Sequence, residues 1–303
     1  MSREPIQISQ EQIDRFQEDG FLVVENLIDA DLVKRLGDRL DPLFHGNFET
    51  GIYPDEWHWR PGLSLPDVTR EICNAWKSDL AIASVALSVE IGRLAATLAG
   101  WSGARIGQDS VWVKPPGAKE VSLHQDATYI SYIEPTEMIT CWIALDDTSA
   151  DIGTIEYVPG SHKWGSVTEL GEFHAPTSHY RSAMERAAAA VGVSNPQVVP
   201  IEISAGSCVI HHGKIWHGSG KNYRSDRVRR SLGVHTLSSE ARFQPTGAGY
   251  IYGRYKRVGE TTMDENFFPI LWTRDGYRTA FLSDYCEDAI AASRTPSVVG
   301  ALL

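Results

Sequence analysis

The sequence predicts a mainly β protein with flanking helices, and two observations indicate this class. Helix signals are concentrated in about the first hundred of the 303 residues. From Ala104 onward, short apolar runs alternate with turn signals such as Pro115-Pro116-Gly117, a texture typical of a β core. We find no internal repeat and no low-complexity linker, which favours a single domain. Its predicted parts are an N-terminal helical and loop region (1–103), a β core with a helical insertion (104–240, insertion about 167–195) and a C-terminal extension (241–303).

The N-terminal region opens with two predicted helices around one short strand. Ser9 and Gln12 form a capping-box pattern at the start of the first helix, and Gly20 ends it. The apolar run Phe21–Val24 then predicts a strand. Asp29 caps the second helix. Its apolar stripe recurs at every fourth position, as Leu32, Leu36 and Leu40.

Two longer stretches complete this region. The segment from about His45 to Trp76 is rich in proline, glycine and tryptophan, and we expect a long ordered loop there. Residues 81–99 predict one helix. Although this stretch is apolar, Glu90 and Arg93 interrupt it, so a packed helix is favoured over a membrane span.

The β core is predicted from short runs of apolar and β-branched residues. These predicted strands are 110–113, 139–145, 198–203, 207–211 and 229–237. Between them, the alanine-rich run Met184–Val191 predicts the helix of the insertion. The last strand has two different faces, with Leu232, Val234 and Thr236 alternating with Ser231, Gly233 and His235.

Composition and charge exclude several classes of function. The net charge is −11, from 28 Lys and Arg against 39 Asp and Glu, so we expect neither nucleic acid nor a membrane as a partner. The four cysteines are scattered without a C-x-x-C pair, which fits a reducing compartment. Met1–Gly20 is acidic and has no apolar segment of the kind found in signal peptides. These features predict a cytoplasmic protein, and they predict no particular oligomeric state.

One pair of residues indicates a metal site. In a strand, residues i and i+2 point to the same face, so His124 and Asp126 would present an imidazole and a carboxylate side by side. With one distant histidine, they would form a triad of two histidines and one carboxylate. Such a triad leaves three positions of Fe(II) open, and oxygen activation needs these because a co-substrate and O2 must both bind the metal.

The third ligand has two candidates from the residues alone. His211 lies at the end of a predicted strand, and His217 begins a glycine-rich stretch that allows close approach of the backbone to a ligand. On these grounds the two histidines are near equals. The stretch is followed by three arginines, and a guanidinium binds a carboxylate through two parallel hydrogen bonds, which suits a dicarboxylate co-substrate. They are Arg227, Arg229 and Arg230.

Six motifs in order give the sequence a resemblance to a known family. They are Phe16–Phe21, Lys114–Gly117, His124–Tyr129, Trp142–Asp147, Val158–His162 and His217–Gly220. Over about the first 235 residues, the chain resembles the phytanoyl-CoA dioxygenase family of Fe(II)- and 2-oxoglutarate-dependent oxygenases. This resemblance implies a double-stranded β-helix, the cupin-like jelly roll, with helices in front of it.

The resemblance also implies roles for individual residues. It assigns iron binding to His124, Asp126 and His217, and it assigns 2-oxoglutarate binding to Arg229, with Arg227 and Arg230 as alternatives. Arg230 would point to the opposite face of the strand from Arg229. Further candidates around the co-substrate are Trp142, Thr140 (on the same strand face as Trp142), Ser219 and Gln108.

The function implied is that of an oxygenase that uses Fe(II), 2-oxoglutarate and O2 to hydroxylate or otherwise oxidise a small metabolite, with release of succinate and CO2. Asp126 favours hydroxylation over halogenation, because halogenases of this family carry a small residue in place of the iron carboxylate. We expect a neutral, zwitterionic or polycyclic substrate, such as a secondary metabolite. Two alternatives remain at this point: a zinc or manganese hydrolase or isomerase that uses the same three ligands, and a catalytically silent binding protein on the same fold.

Overall fold

The computed structural model describes residues 5–166, 172–247, 249 and 252–294. Its helices are α1 (Gln10–Asp19), α2 (Ala30–Phe44), α3 (Leu80–Ala86), α4 (Val89–Ala99), α5 (Ser182–Ala190), α6 (Leu282–Tyr285) and α7 (Ala289–Arg294). Its strands are β1 (Phe21–Val24), β2 (Glu56–Trp57), β3 (Arg70–Cys73), β4 (Gly103–Lys114), β5 (Val121–His124), β6 (Ile133–Glu134), β7 (Ile139–Ala144), β8 (Ile155–Tyr157), β9 (Val199–Pro200), β10 (Cys208–His212), β11 (His217–Ser219), β12 (Arg229–Ser238), β13 (Arg242–Phe243) and β14 (Ile270–Thr273).

Two antiparallel sheets form the centre of the molecule. The main sheet has eight strands in the order β1-β10-β7-β12-β4-β3-β2, with β14 also paired to β4. The second sheet has four strands in the order β5-β11-β8-β9. Together they form the jelly roll, and the mainly β prediction with flanking helices is confirmed.

The two faces of the main sheet have different neighbours. Leu232 and Val234 of β12 belong to the large apolar core, which also contains the buried faces of α2, α3 and α4. Ser231, Gly233 and His235 lie on the opposite face of the same strand, which turns towards the second sheet. The alternation read from the sequence therefore separates a helix-covered face from a face that lines the interior between the sheets.

The caps of the first helices agree with the sequence. Both bonds of the Ser9–Gln12 capping box are present, and Gly20 ends α1 in the left-handed region with φ 86°. Asp29 caps α2 by accepting a hydrogen bond from the Leu32 amide. The exit of α1 leads directly into β1, which is the edge strand of the main sheet.

The predicted single helix over 81–99 is wrong, because the chain turns at Leu87 and Ser88. Ser88 caps α4 by accepting from the amide of Glu90, and its own hydroxyl donates to Asp288. A serine that binds backbone in this way starts a new helix instead of continuing the old one. The stretch Leu80–Ala99 has the length and apolar composition of a membrane span, yet 72% of its most apolar window is buried inside the protein, as in a helix packed in the core.

The segment 45–76 is not only a loop, since it contributes β2 and β3 to the main sheet. β3 pairs with β4, with Glu71 opposite Trp112 and Cys73 opposite Ser110. The charged Glu71 breaks the apolar run by which a strand is recognised, although its side chain is buried. The predicted strand 198–203 is reduced to Val199–Pro200, where the proline has no amide to continue the ladder.

The four cysteines are free and buried. In the predicted insertion, α5 is present, whereas residues 167–171 lie outside the described residues. The same holds for residues 1–4 of the N-terminal region, and for 248, 250, 251 and 295–303 of the predicted C-terminal extension.

Candidate metal centre

A cavity of about 710 Å³ lies between the two sheets. The main sheet supplies its wall from β3, β4, β7, β10 and β12, and the second sheet supplies β5, β8 and β11. Phe173 and His174 of the insertion also line the cavity. All eight predicted site residues line this cavity: Gln108, His124, Asp126, Thr140, Trp142, His217, Ser219 and Arg229.

Three of these side chains converge on one point. His124 ends β5 and His217 begins β11, and the two residues are direct partners in the antiparallel ladder. The Oδ1 atom of Asp126 lies 3.4 Å from His124 Nε2 and 3.5 Å from His217 Nε2. Candidate ligand atoms from all three residues lie within 4.8 Å of one another. This arrangement could hold one metal ion on one side and leave the other side open to the cavity.

The backbone from His124 to Asp126 is not the continuous strand from which this pair of ligands was predicted. β5 ends at His124, and Asp126 starts a 3-10 turn that runs to Ile130. Asp126 therefore reaches His124 through the turn and not through strand alternation. The same turn brings Tyr129 to the cavity wall, with its ring centroid 6.2 Å from that of His124.

Both histidines are set up to bind a metal through Nε2. His124 Nδ1 lies 2.8 Å from the Ser122 carbonyl oxygen, and His217 Nδ1 lies 3.1 Å from that of Ile215. A carbonyl oxygen can only accept, so each Nδ1 carries the proton and each Nε2 keeps its lone pair. Burial, and next the neighbouring imidazole of His124, hold the pKa of His217 well below its usual value. Two imidazoles that present Nε2 and one carboxylate oxygen fit an iron(II) ion.

The second oxygen of Asp126 is bound by protein groups. Asp126 Oδ2 accepts a 2.8 Å hydrogen bond from the Thr140 hydroxyl, and the rings of His211 and His235 lie 3.1 and 3.3 Å from it. Burial by itself would raise the pKa of Asp126, but the surrounding imidazoles, His217 first and then His235, His124 and His211, lower it well below its usual value. Asp126 is thus an ionised carboxylate with only Oδ1 turned to the two histidines.

This geometry separates the two candidates for the third ligand. His217 faces Oδ1, whereas His211 faces Oδ2 through Nε2 and contacts the Tyr157 hydroxyl through Nδ1 at 2.7 Å. His211 therefore contacts the carboxylate oxygen that does not face His124 and His217, and it helps to hold Asp126 in place.

His235 is a site residue that the sequence reasoning missed. Its Nδ1 lies 2.9 Å from the Thr140 hydroxyl, and Thr140 is its direct partner across β12 and β7. The sequence pattern that could have identified His235 is the alternation along β12, which puts this residue on the same face as Arg229.

At the other end of the cavity, Arg229 lines the wall and a second buried cation, Lys114, lies next to it. Arg229 and Lys114 are partners across β12 and β4. Arg229 donates from Nη1 to Ser231 at 2.8 Å, and its Nε is buried without a partner. Lys114 donates to the Ser219 hydroxyl at 2.8 Å. Neither cation has a carboxylate within 4 Å among the described residues, so this end of the cavity fits an anionic group of a ligand.

Burial disfavours the charged form of both side chains. It lowers the pKa of Arg229 to about 10. It also lowers the pKa of Lys114 well below the usual value, with repulsion from Arg229 as the next cause. An anion bound between them would offset both penalties. Lys114 is the second residue that sequence reasoning missed, although it stands in the matched motif Lys114–Gly117.

The other two arginines point away from the cavity. Arg230 pairs with Asp146 at 2.6 Å, as expected for the opposite face of β12. Arg227 donates to the Asp147 carbonyl at the surface. Of the three, only Arg229 enters the cavity, where its guanidinium carbon lies 5.6 Å from the centre of the Trp142 ring.

The remaining candidates take different positions. Ser219 is bound to Lys114 at the cationic end, and Thr140 is bound to Asp126 at the metal end. Gln108 lines the cavity away from Arg229, where its amide donates to Ser110 at 2.7 Å and its carbonyl accepts from Tyr252.

Sequence comparison relates the chain to known proteins. The profile of the family described as phytanoyl-CoA dioxygenase (PhyH) matches residues 16–231. Phytanoyl-CoA dioxygenase domain-containing protein 1 of Mus musculus is 26% identical over 269 residues, which cover 77% of this chain and 91% of that protein.

Solved structures share the fold. The epimerase SnoN, in complex with Fe3+, α-ketoglutarate and nogalamycin RO, matches with a TM-score of 0.64 and 22% identity over 86% of this chain and 98% of SnoN. EctD from S. alaskensis, with 2-oxoglutarate and 5-hydroxyectoine, matches with a TM-score of 0.63 and 19% identity over 84% of this chain and 86% of EctD.

Proposed function

We propose, from the premise that this chain belongs to the phytanoyl-CoA dioxygenase family, that His124, Asp126 and His217 hold its iron and that Arg229 binds 2-oxoglutarate. The chain is an Fe(II)- and 2-oxoglutarate-dependent oxygenase. The observation that carries the residue assignment is the convergence of two imidazole Nε2 atoms and one carboxylate oxygen at the wall of a buried cavity. Bound Fe(II), with 2-oxoglutarate and O2, supplies the oxidising chemistry and yields succinate and CO2.

The residues around the metal fix the ligands before the metal binds. The backbone carbonyls of Ser122 and Ile215 hold the two imidazoles in the Nδ1–H form. Thr140 holds the outer oxygen of Asp126. The three ligand atoms then need no proton transfer and little rotation to bind, which lowers the free-energy cost of forming the site.

The cationic end positions the co-substrate. Arg229 has a free Nε–H and binds the carboxylate of 2-oxoglutarate remote from the metal, and Lys114 adds a second charge while holding the hydroxyl of Ser219. Trp142 covers the guanidinium and excludes water from this contact. The family assignment favours the oxygenase over a zinc or manganese hydrolase and over a silent binding protein.

The rest of the cavity receives the substrate. Its walls include the rings of Trp112, Tyr129, Phe173 and Tyr252, together with several polar groups. A volume of about 710 Å³ lies within the usual range for sites that bind small molecules. We propose a neutral, zwitterionic or polycyclic metabolite that is hydroxylated at a C–H bond, since Asp126 fills the ligand position that halogenation would need. The net charge of −11 supports an enzyme without nucleic-acid or membrane partners, and the scattered cysteines support a cytoplasmic location.

Succinate formation tests the metal assignment. The full chain is incubated with Fe(II), ascorbate and 2-oxoglutarate, and succinate is measured with and without a library of candidate metabolites. We expect Asp126→Ala to lose this activity and to bind no Fe(II) at the triad. An Asp126→Ala protein with unaltered turnover would overturn the assignment.

A matched pair of arginine variants tests the co-substrate site. Arg229→Met and Arg230→Met change neighbouring residues of β12 that point to opposite faces. We expect Arg229→Met to raise KM for 2-oxoglutarate by 10- to 100-fold or more, roughly the value of a charged hydrogen-bonded contact. Arg230→Met should leave KM unchanged and should affect only stability. Equal KM effects in both variants would contradict the proposal.

A further inference from the structure

A second group of metal-binding side chains lies on the wall of the same cavity. Candidate ligand atoms of His58, Glu71 and Cys73 lie within 4.8 Å of one another. Glu71 and Cys73 alternate on β3 and so share a face, and the backbone amide of His58 donates to the Glu71 carbonyl at 3.0 Å, which extends the pairing of β2 and β3. Backbone pairing thus holds the three donors together.

Nothing charged other than imidazole compensates the carboxylate of this group. Glu71 is 7% exposed, and its Oε2 lies 3.2 Å from Nε2 of His174. The thiol of Cys73 donates to Glu71 Oε1 at 3.4 Å. Among the described residues, no Lys or Arg nitrogen lies within 4 Å of Glu71. A buried carboxylate with this environment has a remaining capacity for a cation.

The donor types indicate which cation. Sulfur, imidazole nitrogen and carboxylate oxygen together are typical ligands of Zn²⁺, whereas Mg²⁺ and Ca²⁺ prefer oxygen alone. Tetrahedral bonds to zinc would place the donor atoms roughly 3.5 Å apart, so only about 1 Å of side-chain movement is needed from the present spacing.

We propose that His58, Glu71 and Cys73 form a second metal site that binds a Zn²⁺-like divalent cation. The metal–sulfur bond replaces the S–H bond of Cys73, and the released proton passes to solvent. His174 is a positioning residue that orients the Glu71 carboxylate. The fourth coordination position faces the cavity shared with the iron triad, so the ion is placed to bind an oxygen or nitrogen atom of a substrate.

The thiolate gives this site a signature that the iron triad lacks. In the full-length Asp126→Ala/His217→Ala protein, which removes the triad, anaerobic titration with Co²⁺ should produce a sulfur-to-cobalt charge-transfer band in the near ultraviolet. One equivalent of Co²⁺ should saturate the band, and Zn²⁺ should abolish it. Because the triad is absent, this experiment can succeed or fail whatever the outcome for the proposed oxygenase function.

Three variants on that background locate the ligands. Cys73→Ser should abolish the band, and the matched control Cys286→Ser should retain it. His58→Gln changes an exposed side chain and should therefore fold normally, while its Co²⁺ affinity falls at least tenfold. The proposal is overturned if no band forms, if the band survives Cys73→Ser, or if His58→Gln binds Co²⁺ as tightly as its parent.

Discussion

Asp126 divides its two carboxylate oxygens between two tasks. Oδ1 faces the two imidazoles of the triad, and Oδ2 is held by Thr140, with the rings of His211 and His235 close by. A free carboxylate can rotate and offer both oxygens to a metal, which would occupy one more position of the iron. If Asp126 binds iron as proposed, the contacts that hold Oδ2 would limit it to one metal bond and would leave three positions open.

Thr140→Val tests this division of the carboxylate. The change removes the hydroxyl that donates to Asp126 at 2.8 Å but keeps the branched shape. We expect Fe(II) or Co²⁺ affinity to fall by about 10- to 100-fold, the usual effect of losing a group that orients a ligand. Affinity is measured by anaerobic titration.

Thr236→Val is the matched control. Thr236 lies on the opposite face of the neighbouring strand, where its hydroxyl donates to the Ile139 carbonyl. The Thr236→Val variant should lose about as much unfolding free energy as Thr140→Val and should keep its metal affinity unchanged. If both variants bind metal equally well, Thr140 does not position the carboxylate.

We expect Lys114 to lower the stability of the protein and to strengthen binding of the co-substrate. The residue is fully buried, and among the described residues its ammonium donates only to Ser219. We therefore expect Lys114→Met to raise the Tm, because the desolvation cost disappears, while KM for 2-oxoglutarate rises about tenfold. Lys119→Met, an exposed neighbour, should change neither value. A Lys114→Met protein with a lower Tm and unchanged KM would contradict this role.

At the scale of elements, β12 organises both ends of the cavity. Its inward residues run from Arg229 at the cationic end, through Ser231 and Gly233, to His235 beside Asp126. From Arg229 to Gly233 the strand covers about 13 Å. One strand thus supplies the proposed co-substrate anchor, Arg229, and His235 beside the proposed metal ligand, and the residue between them, Gly233, has no side chain.

Gly233 keeps that intermediate space open. A Cβ atom there would meet only ordinary contacts, 3.7 Å to His235 and 3.8 Å to Ser110, so the fold accepts a side chain. Gly233→Val should keep or raise the Tm, since valine suits a strand better than glycine, and should reduce 2-oxoglutarate turnover by at least about tenfold. Gly233→Ala should be intermediate. Unchanged kinetics in the valine variant would show that neither ligand uses this space.

β10 carries an acid-sensitive residue at its end. Burial lowers the pKa of His212 to about 4, and its Nδ1 accepts a 3.0 Å hydrogen bond from the Lys214 amide, which only the neutral ring can do. The unfolded chain binds this proton near pH 6.5, so the contribution of His212 is complete above that pH and is lost as the pH falls towards 4. The loss is on the order of 3 kcal/mol.

His212→Asn tests this pH dependence. The asparagine oxygen can still accept from the Lys214 amide, but it does not titrate. Urea unfolding at pH 7 and pH 4.5 should show a smaller loss of unfolding free energy in the variant than in the native chain. Equal losses would exclude His212 as a source of acid sensitivity.

At the scale of the whole molecule, the sequence predicted the parts that local rules or ordered motifs specify. The capping box, the two faces of β12 and the triad are of this kind. The buried charges of Glu71 and Lys114 were not predicted, because a buried charge can be recognised only from the strands that pair across it. The break before α4 was not predicted, although Ser88 caps this helix locally; its hydroxyl also binds Asp288, 200 residues away.

The two ends of the cavity should be coupled through the ligand that joins them. If 2-oxoglutarate binds Arg229 at one end and the metal at the other, each ligand must strengthen binding of the other by the same factor. Under nitrogen, Mn²⁺ at about 100 times its Kd should raise the Tm by roughly 5 °C. The shift caused by 2-oxoglutarate should then be larger with Mn²⁺ than without it.

Two variants separate the contributions to that coupling. Asp126→Ala should remove the Mn²⁺ shift and leave only the small metal-independent shift from 2-oxoglutarate, which contact with Arg229 provides. Arg229→Met should retain the Mn²⁺ shift and lose most of the 2-oxoglutarate shift. Equal 2-oxoglutarate shifts in the presence and absence of Mn²⁺ would mean that the co-substrate does not bridge the two ends, and the placement of the keto acid between β12 and the triad would be wrong.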